Sequence, residues 1–109
     1  DIRVLLRNKD QIDAVMTALP DSWTNDTKMK SDAVFLWDEI DGPGIVGQLV
    51  VRDDVDTVIY VSGVILWSVP RANQAKSGMN KLIGTKLYKQ MTIRNVNTFR
   101  KIHALMQSH

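Results

Sequence analysis

The stretch Thr57-Val58-Ile59-Tyr60-Val61-Ser62-Gly63-Val64-Ile65-Leu66-Trp67-Ser68-Val69 decides the fold class of this chain. Its β-branched and aromatic residues form two runs of strand length, and only Ser62 and Gly63 separate these runs. Two such runs joined by a two-residue loop that contains glycine are typical of a β-hairpin. We therefore predict a hairpin with strands over Thr57–Val61 and Val64–Val69.

The N-terminal segment is predicted to hold a short buried strand and an amphipathic helix. Ile2–Leu6 is an apolar run of strand length, and the side chain of Asn8 can cap the helix that follows. The apolar residues of this helix recur at intervals of three and four, at Ile12, Val15, Met16 and Leu19. This spacing places them on one helix face, and Pro20 ends the helix.

Between this helix and the hairpin, the sequence predicts a second strand and a short helix. Ala33–Trp37 is a continuous apolar run flanked by acidic residues, which favours a strand. A Gly-Pro-Gly break at residues 42–44 follows. A short helix then suits the spacing of Ile45, Val46, Leu49 and Val50.

After Pro70 the pattern becomes helical again. Ser77 is a candidate N-cap and Gly84 is placed to end this helix. Its predicted apolar face consists of Met79, Leu82 and Ile83. Met91–Arg94 is predicted as the last strand.

A final helix begins after that strand, with Asn95 or Asn97 as its cap. Its predicted core-facing residues are Phe99, Ile102, Leu105 and Met106, and its predicted water-facing residues are Arg100, Lys101 and Gln107. The elements follow the order β-α-β-(α)-β-β-α-β-α. One hairpin with otherwise helical crossovers predicts an α+β fold, a two-layer sandwich of a mixed β-sheet and helices, with Trp37 and Trp67 in its core.

The length and the composition of the chain indicate one ordinary domain. Its 109 residues are 44% hydrophobic and 24% charged, which suffices to bury a core without disulfides or metals. The chain opens at Asp1 without a methionine and runs at once into the strand-like Ile2–Leu6. We therefore expect residues 1–109 to be the C-terminal domain of a longer chain, whose N-terminal domain is missing.

The absence of cysteine excludes a disulfide framework, a cysteine-based zinc site and a thiol nucleophile. No run approaches the roughly 18 apolar residues of a membrane span, and the chain has no secretory signal. We therefore expect a cytoplasmic protein without a membrane partner.

No residue pattern in the sequence marks a catalyst. Its two histidines, His103 and His109, do not share a helix face, and Gly78–Lys86 has the wrong order for a phosphate-binding loop. Two acidic groups do not fit a calcium loop and are expected to be solvated, namely Asp38, Glu39 and Asp41, and Asp53, Asp54 and Asp56. The sequence thus predicts no catalytic residue, no metal and no cofactor, and it favours a non-enzymatic protein.

Charge is distributed unevenly along the chain. Residues 1–70 carry all 12 acidic residues and 6 basic ones, a net charge of −6, whereas residues 71–109 carry 8 basic residues and no acidic one, a net charge of +8. Such asymmetry is typical of a protein that binds a polyanion. The alternative is that the two parts interleave in the fold and neutralise each other at the surface.

Two segments of the basic third are candidate anion-binding segments. Segment 94–97 lies at a predicted strand-to-helix junction, where free backbone amides attract anions, and segment 71–77 approaches another predicted helix start. The alternative is that the asparagines only cap and turn the chain. The candidate contacts are Arg71, Lys76, Ser77, Arg94, Asn95 and Asn97.

Three segments of the chain resemble a known bacterial family, namely Phe35-Leu36-Trp37-Asp38-Glu39, Leu66-Trp67-Ser68-Val69, and Thr92-Ile93-Arg94-Asn95-Val96-Asn97-Thr98 followed by Lys101. They resemble the C-terminal part of the family called domain of unknown function 1697. The resemblance covers nearly the whole chain, and the Arg-Asn-x-Asn-Thr segment is its most specific element. It implies a small bacterial α+β protein without an assigned activity.

Two functional hypotheses follow from these patterns. In the first, the chain is a non-enzymatic binding or interaction module whose basic third meets an anionic partner, either nucleic acid or a nucleotide. In the second, it is half of an enzyme whose active site the missing N-terminal domain completes, with Arg94 and the neighbouring amides positioning an anionic substrate. A purely structural or dimerising domain is the third possibility.

Overall fold

The computed structural model of this chain describes residues 9–61 and 63–107. The predicted strand Ile2–Leu6 and the predicted cap Asn8 lie outside the described residues. The α-helices are α1 (Lys9–Ala18), α2 (Met79–Leu82) and α3 (Val96–Gln107), and the strands are β1 (Met29–Leu36), β2 (Thr57–Val61), β3 (Val64–Pro70) and β4 (Met91–Asn95). Short 3₁₀ helices cover Pro43–Gln48, Arg71–Lys76 and Leu87–Gln90.

The strands form one sheet in the order β2-β3-β1-β4, and every neighbouring pair is antiparallel. The predicted hairpin is confirmed, since β2 pairs with β3 and Val61 lies opposite Val64. Gly63 in the connecting loop has a φ of 83°, a conformation that glycine adopts without steric cost. The α+β class is also confirmed, but these four strands are all antiparallel rather than mixed. Strand β1 lies between β3 and β4 and is antiparallel to both, and β2 is antiparallel to β3.

Both faces of the sheet are buried, because the two central strands are apolar at consecutive positions. Neighbouring residues of a strand point to opposite faces, so the runs Ala33–Leu36 and Val64–Trp67 are apolar on both sides. Helices α1 and α3 cover one face, where the buried residues include Ile12, Val15, Leu19, Phe35, Val96 and Phe99. The other face packs against α2 and the loops, through Val34, Leu36, Ile45, Ile65, Trp67, Met79, Leu82 and Met91. The sheet is therefore a middle layer, where the sequence predicted two layers.

The helices largely follow their predicted apolar faces, with two exceptions. Helix α1 buries Ile12 and Val15 of its predicted stripe, Met16 is half-buried, and Leu19 is buried just after the helix, which ends before Pro20 as expected. Leu105 on α3 is 63% exposed, and Ile83 beyond α2 is 53% exposed, so their predicted core positions are wrong. Both residues lie near the C-terminal end of their helix, on the side turned away from the core, because their neighbours Met106 and Leu82 are the ones that pack into it. Among the described helices, none is long and apolar enough to cross a bilayer.

Strand β1 begins at Met29, four residues before the predicted strand. Its first half contains the polar residues Lys30, Ser31 and Asp32, and Ser31 is nevertheless fully buried opposite Ser68 of β3. The two hydroxyl groups hydrogen-bond to each other at 2.8 Å, which satisfies both polar groups inside the sheet. A buried polar pair of this kind cannot be predicted from apolar periodicity.

The two tryptophans that were predicted for the core differ in burial. Trp67 is buried as predicted, whereas Trp37, just past the end of β1, is half-buried.

Candidate functional site

The N-terminal half of β1 contains two charged residues that are at least partly buried, Lys30 and Asp32. Lys30 lies opposite Val69 and Asp32 lies opposite Trp67 on β3. Because cross-strand partners share a face, both side chains lie on the face that α2 covers. The Lys30 ammonium group donates a hydrogen bond to Oδ2 of Asp32, which is only 5% exposed. This ion pair supplies the partner that a buried carboxylate requires.

A pocket of about 80 Å³ opens beside this ion pair. One wall comes from the sheet and the other from the segment between β3 and β4. Its lining residues are Lys30, Asp32, Trp67, Val69, Gln74, Ser77, Met79, Asn80 and Ile83. The pocket therefore combines an apolar floor with charged and amide groups.

The amide groups of the pocket are partly committed to the fold. Gln74 accepts a hydrogen bond from Nη1 of Arg71 at 3.2 Å, through its Oε1. Asn80 donates from Nδ2 to the carbonyl oxygen of Gln74 at 2.9 Å. Within residues 9–61 and 63–107, the Gln74 amide nitrogen, Oδ1 of Asn80 and Oδ1 of Asp32 make no side-chain hydrogen bond. The pocket thus offers free donors and free acceptors side by side.

The hydroxyl group of Ser77 is already hydrogen-bonded to a buried carboxylate, so it is not free to donate to an anion. Its Oγ donates to Oδ1 of Asp56 at 2.6 Å and accepts the amide N–H of Met79 at 3.1 Å. Asp56 also accepts the backbone amides of Arg52 and Gly78, both at 2.9 Å. Asp56 is therefore buried and fully engaged, and its predicted solvation is wrong.

The hydrogen bonds set the charge state of Asp56. Burial alone raises the pKa of this carboxyl, but the hydrogen bonds from Ser77 and from the Arg52 and Gly78 amides outweigh it, so the pKa lies below its ordinary value. The indole of Trp67 also favours the ionised form, although its N–H makes no well-aligned hydrogen bond. The absence of a side chain at Gly78 is essential, because a Cβ there would overlap the carbonyl group of Val50.

Arg71 and Asn97, two of the predicted anion contacts, meet at one loop. Arg71 donates from Nη2 to Oδ1 of Asn25 at 2.6 Å and from Nε to the carbonyl oxygen of Asp26 at 3.0 Å. Asn97 donates from Nδ2 to the carbonyl oxygen of Asn25 at 2.9 Å. These side chains hold the loop that leads into β1. The fold thus brings Arg71 and Asn97 to the same loop, where both are hydrogen-bonded to protein atoms.

Arg94 and Asn95 lie on different faces of the sheet. Asn95 pairs with Asp32, whereas Arg94 lies opposite Ala33 and donates from Nη1 to the carbonyl oxygen of Ile93 at 2.9 Å. Oδ1 of Asn95 accepts the amide N–H of Thr98 at 2.9 Å, which confirms Asn95 as the cap of α3.

Lys76 is exposed and belongs to a larger basic group. Three more lysines follow it in the segment that covers one face of the sheet, and we call the four residues Lys76, Lys81, Lys86 and Lys89 the lysine surface. All four are exposed, and Ile83 and Tyr88 are exposed between them. The four lysines fall within residues 76–89, a stretch of chain that contains no acidic residue.

The remaining cations of the basic third lie elsewhere. Arg100 and Lys101 are on α3, which packs on the opposite face of the sheet. In the part of the chain that the structure describes, the ion pairs of lysine and arginine join Lys9 to Asp13 and Lys30 to Asp32, and the His103 imidazole is hydrogen-bonded to Asp13. None of the lysines and arginines between residues 71 and 101 pairs with a described carboxylate. The charge asymmetry of the sequence is therefore not cancelled by contacts within the described fold.

Sequence reasoning missed most of this site. Lys30 and Asp32 were overlooked because the strand was predicted to begin at Ala33. The one available signal is their spacing, because residues two positions apart in a strand lie on the same face. The roles of Gln74 and Asn80 depend on contacts across the fold, for which the sequence carries no local pattern.

Comparisons with known proteins show the fold. No family model matches the chain, and no curated protein matches it. The solved structure of the conserved bacterial protein SP0830 from Streptococcus pneumoniae is similar, with a TM-score of 0.70 and 24% sequence identity. The match covers 88% of this chain and 54% of that one, so the chain spans about half the length of that structure. The resemblance to domain of unknown function 1697 stays a prediction.

Proposed function

We propose that this chain is a non-enzymatic binding module for a polyanion, and that this polyanion is a nucleic acid. The observation that carries the proposal is the lysine surface, whose four ammonium groups are exposed and have no carboxylate partner among the described residues. A cytoplasmic location, where nucleic acid is available, belongs to the same proposal.

The lysine surface suits phosphate groups for an electrostatic reason. A lysine ammonium group is a flexible point charge that binds phosphate without strict geometry. Its binding to a nucleic acid releases condensed counterions, which supplies most of the free energy of non-specific binding. Flexible lysines without a fixed guanidinium fork therefore predict binding to the backbone rather than direct reading of base pairs.

Of the six candidate contacts, Lys76 alone belongs to the lysine surface. Arg71, Asn95 and Asn97 hydrogen-bond within the fold, and Ser77 is engaged by Asp56. The hypothesis of a half active site around Arg94 stays a prediction.

Charge reversal on the two faces of the sheet tests the proposal. Affinity for a labelled single strand of about 12 nucleotides is measured by fluorescence anisotropy between about 50 and 200 mM salt. Four phosphate contacts give a slope of log K against log salt of about −3. The variant Lys86→Glu is expected to bind about tenfold more weakly, because one phosphate contact is lost. For the same reason its salt dependence should be shallower, with a slope of about −2.

The matched control is Lys101→Glu, which changes the same charge on the opposite face of the sheet. Its affinity and salt slope are expected to equal those of the unchanged protein. Equal losses in both variants would show that only the net charge matters, and the proposed surface would then be wrong. A flat titration at low salt would remove the proposal altogether.

A further inference from the structure

The pocket and the lysine surface are neighbours in the fold. Ser77 and Asn80 line the pocket and are adjacent in sequence to Lys76 and Lys81. Ile83 lines the same pocket and is 53% exposed. Lys76 and Lys81 therefore place positive charge beside the pocket.

We infer that this pocket receives the edge of an unpaired nucleobase that carries an exocyclic amino group, so that the module binds single-stranded nucleic acid and prefers cytosine to thymine. The inference rests on the proposed function, which supplies the phosphate contacts. It adds a base preference that the lysines alone cannot give.

The chemistry of the pocket matches such an edge. Asp32 has Oδ1 free of side-chain hydrogen bonds within the described fold, and a carboxylate accepts the N4 amino group of cytosine. The Lys30 ammonium group and the Gln74 amide nitrogen can donate to the ring nitrogen and carbonyl oxygen of the same edge. Thymine presents a carbonyl oxygen where cytosine has its amino group. That oxygen would face the Asp32 carboxylate, so thymine is disfavoured.

The size of the pocket limits what can enter. Its 80 Å³ is about half of the roughly 150 Å³ cavity that holds a benzene ring. The edge of a base can enter, while the ring stays at the mouth against the exposed Ile83. In a duplex these edges are already paired, which restricts the site to unpaired bases.

The test compares oligo-dC with oligo-dT of the same length, about 12 nucleotides, at neutral pH and low salt. The unchanged protein is expected to bind oligo-dC at least about fivefold more tightly, the lower end of discrimination by one good base contact. In Asp32→Asn, a neutral amide can donate to thymine as well as accept from cytosine, so the ratio is expected to fall to about one. The control Asp10→Asn, an exposed residue of α1, is expected to keep the preference.

A second variant tests whether the result for Asp32→Asn comes only from destabilisation by an unpaired Lys30. The double change Lys30→Met and Asp32→Asn removes both charges together and leaves no unpaired buried charge. It is expected to bind both oligonucleotides with the salt slope of the unchanged protein and without a preference. Equal binding of the two oligonucleotides by the unchanged protein, or a preference that survives both variants, would overturn the inference alone. Failure to bind either oligonucleotide would overturn the proposed function with it.

Discussion

Asp56 shows how a single residue can hold distant parts of this chain together. It precedes β2, yet its carboxylate accepts hydrogen bonds from Ser77 and Gly78, which lie just before α2. These contacts fix the start of the segment that carries the lysine surface and one wall of the pocket. The residue is therefore structural, although it stands in an acidic run that looks like an exposed loop.

We expect Asp56→Ala to lower the free energy of unfolding by about 3 kcal/mol at neutral pH, because buried donors lose a charged acceptor. Urea unfolding followed by circular dichroism measures this loss. The control Asp54→Ala, at an exposed neighbour, is expected to change the free energy by less than about 0.5 kcal/mol.

The effect of Asp56→Ala also depends on pH. The pKa of Asp56 is lower in the folded protein than its ordinary value of 3.8, so the ionised form stabilises the fold. This contribution is fully present above pH 3.8 and is lost as the pH falls through the folded pKa. The difference in stability between the unchanged protein and the variant should therefore shrink in acid. A difference that stays constant down to complete protonation would contradict this role.

At the scale of elements, α3 shows where amphipathic periodicity stops being informative. Val96 and Phe99 are buried against the sheet, and the Phe99 ring lies 5.9 Å from that of Phe35, centroid to centroid. Leu105 lies two turns further along and is largely exposed. Met106, the next residue, packs against the core instead, so the exposed side of this helix also carries an apolar residue.

Two substitutions on α3 test this difference. Phe99→Ala should cost about 3 to 5 kcal/mol of unfolding free energy, because it leaves a cavity in the core. Leu105→Ala should change it by less than about 0.5 kcal/mol, since the side chain is mostly in water already. Chemical denaturation of the two variants in parallel distinguishes them. Similar losses for both would place Leu105 in a core contact that the structure does not have.

At the scale of the whole molecule, the sheet separates two cores. The cluster under α1 and α3 and the cluster under α2 and the loops lie on opposite faces. Side chains in the two clusters do not touch, because the central strands stand between them. The molecule should therefore respond to changes in the two clusters independently.

Double-mutant cycles test this independence. The effects of Phe99→Leu on one face and Ile45→Val on the other should add to within about 0.5 kcal/mol in urea unfolding. Phe99→Leu with Phe35→Leu should deviate from additivity by more than that, because their rings are in contact. Coupling across the sheet as large as coupling within one face would contradict the description of two separate cores.

The sequence by itself determined the elements whose signals are local. The hairpin follows from two β-branched runs around Ser62 and Gly63, and helix α1 follows from its apolar stripe. The sequence also predicts an asparagine cap for α3, and the structure selects Asn95 over Asn97. The α+β class follows from their order. Such features depend on contacts between residues that are close in the chain, which is why periodicity and turn chemistry reveal them.

Only the tertiary structure decided the candidate site and the layering. Strand β1 extends over polar residues because Ser31 finds Ser68 across the sheet, and this extension carries Lys30 and Asp32 into the pocket. Asp56 is buried because Ser77 and Gly78 meet it from another part of the chain. A polar residue can be buried only where a partner satisfies it, and partners distant in sequence leave no local signal.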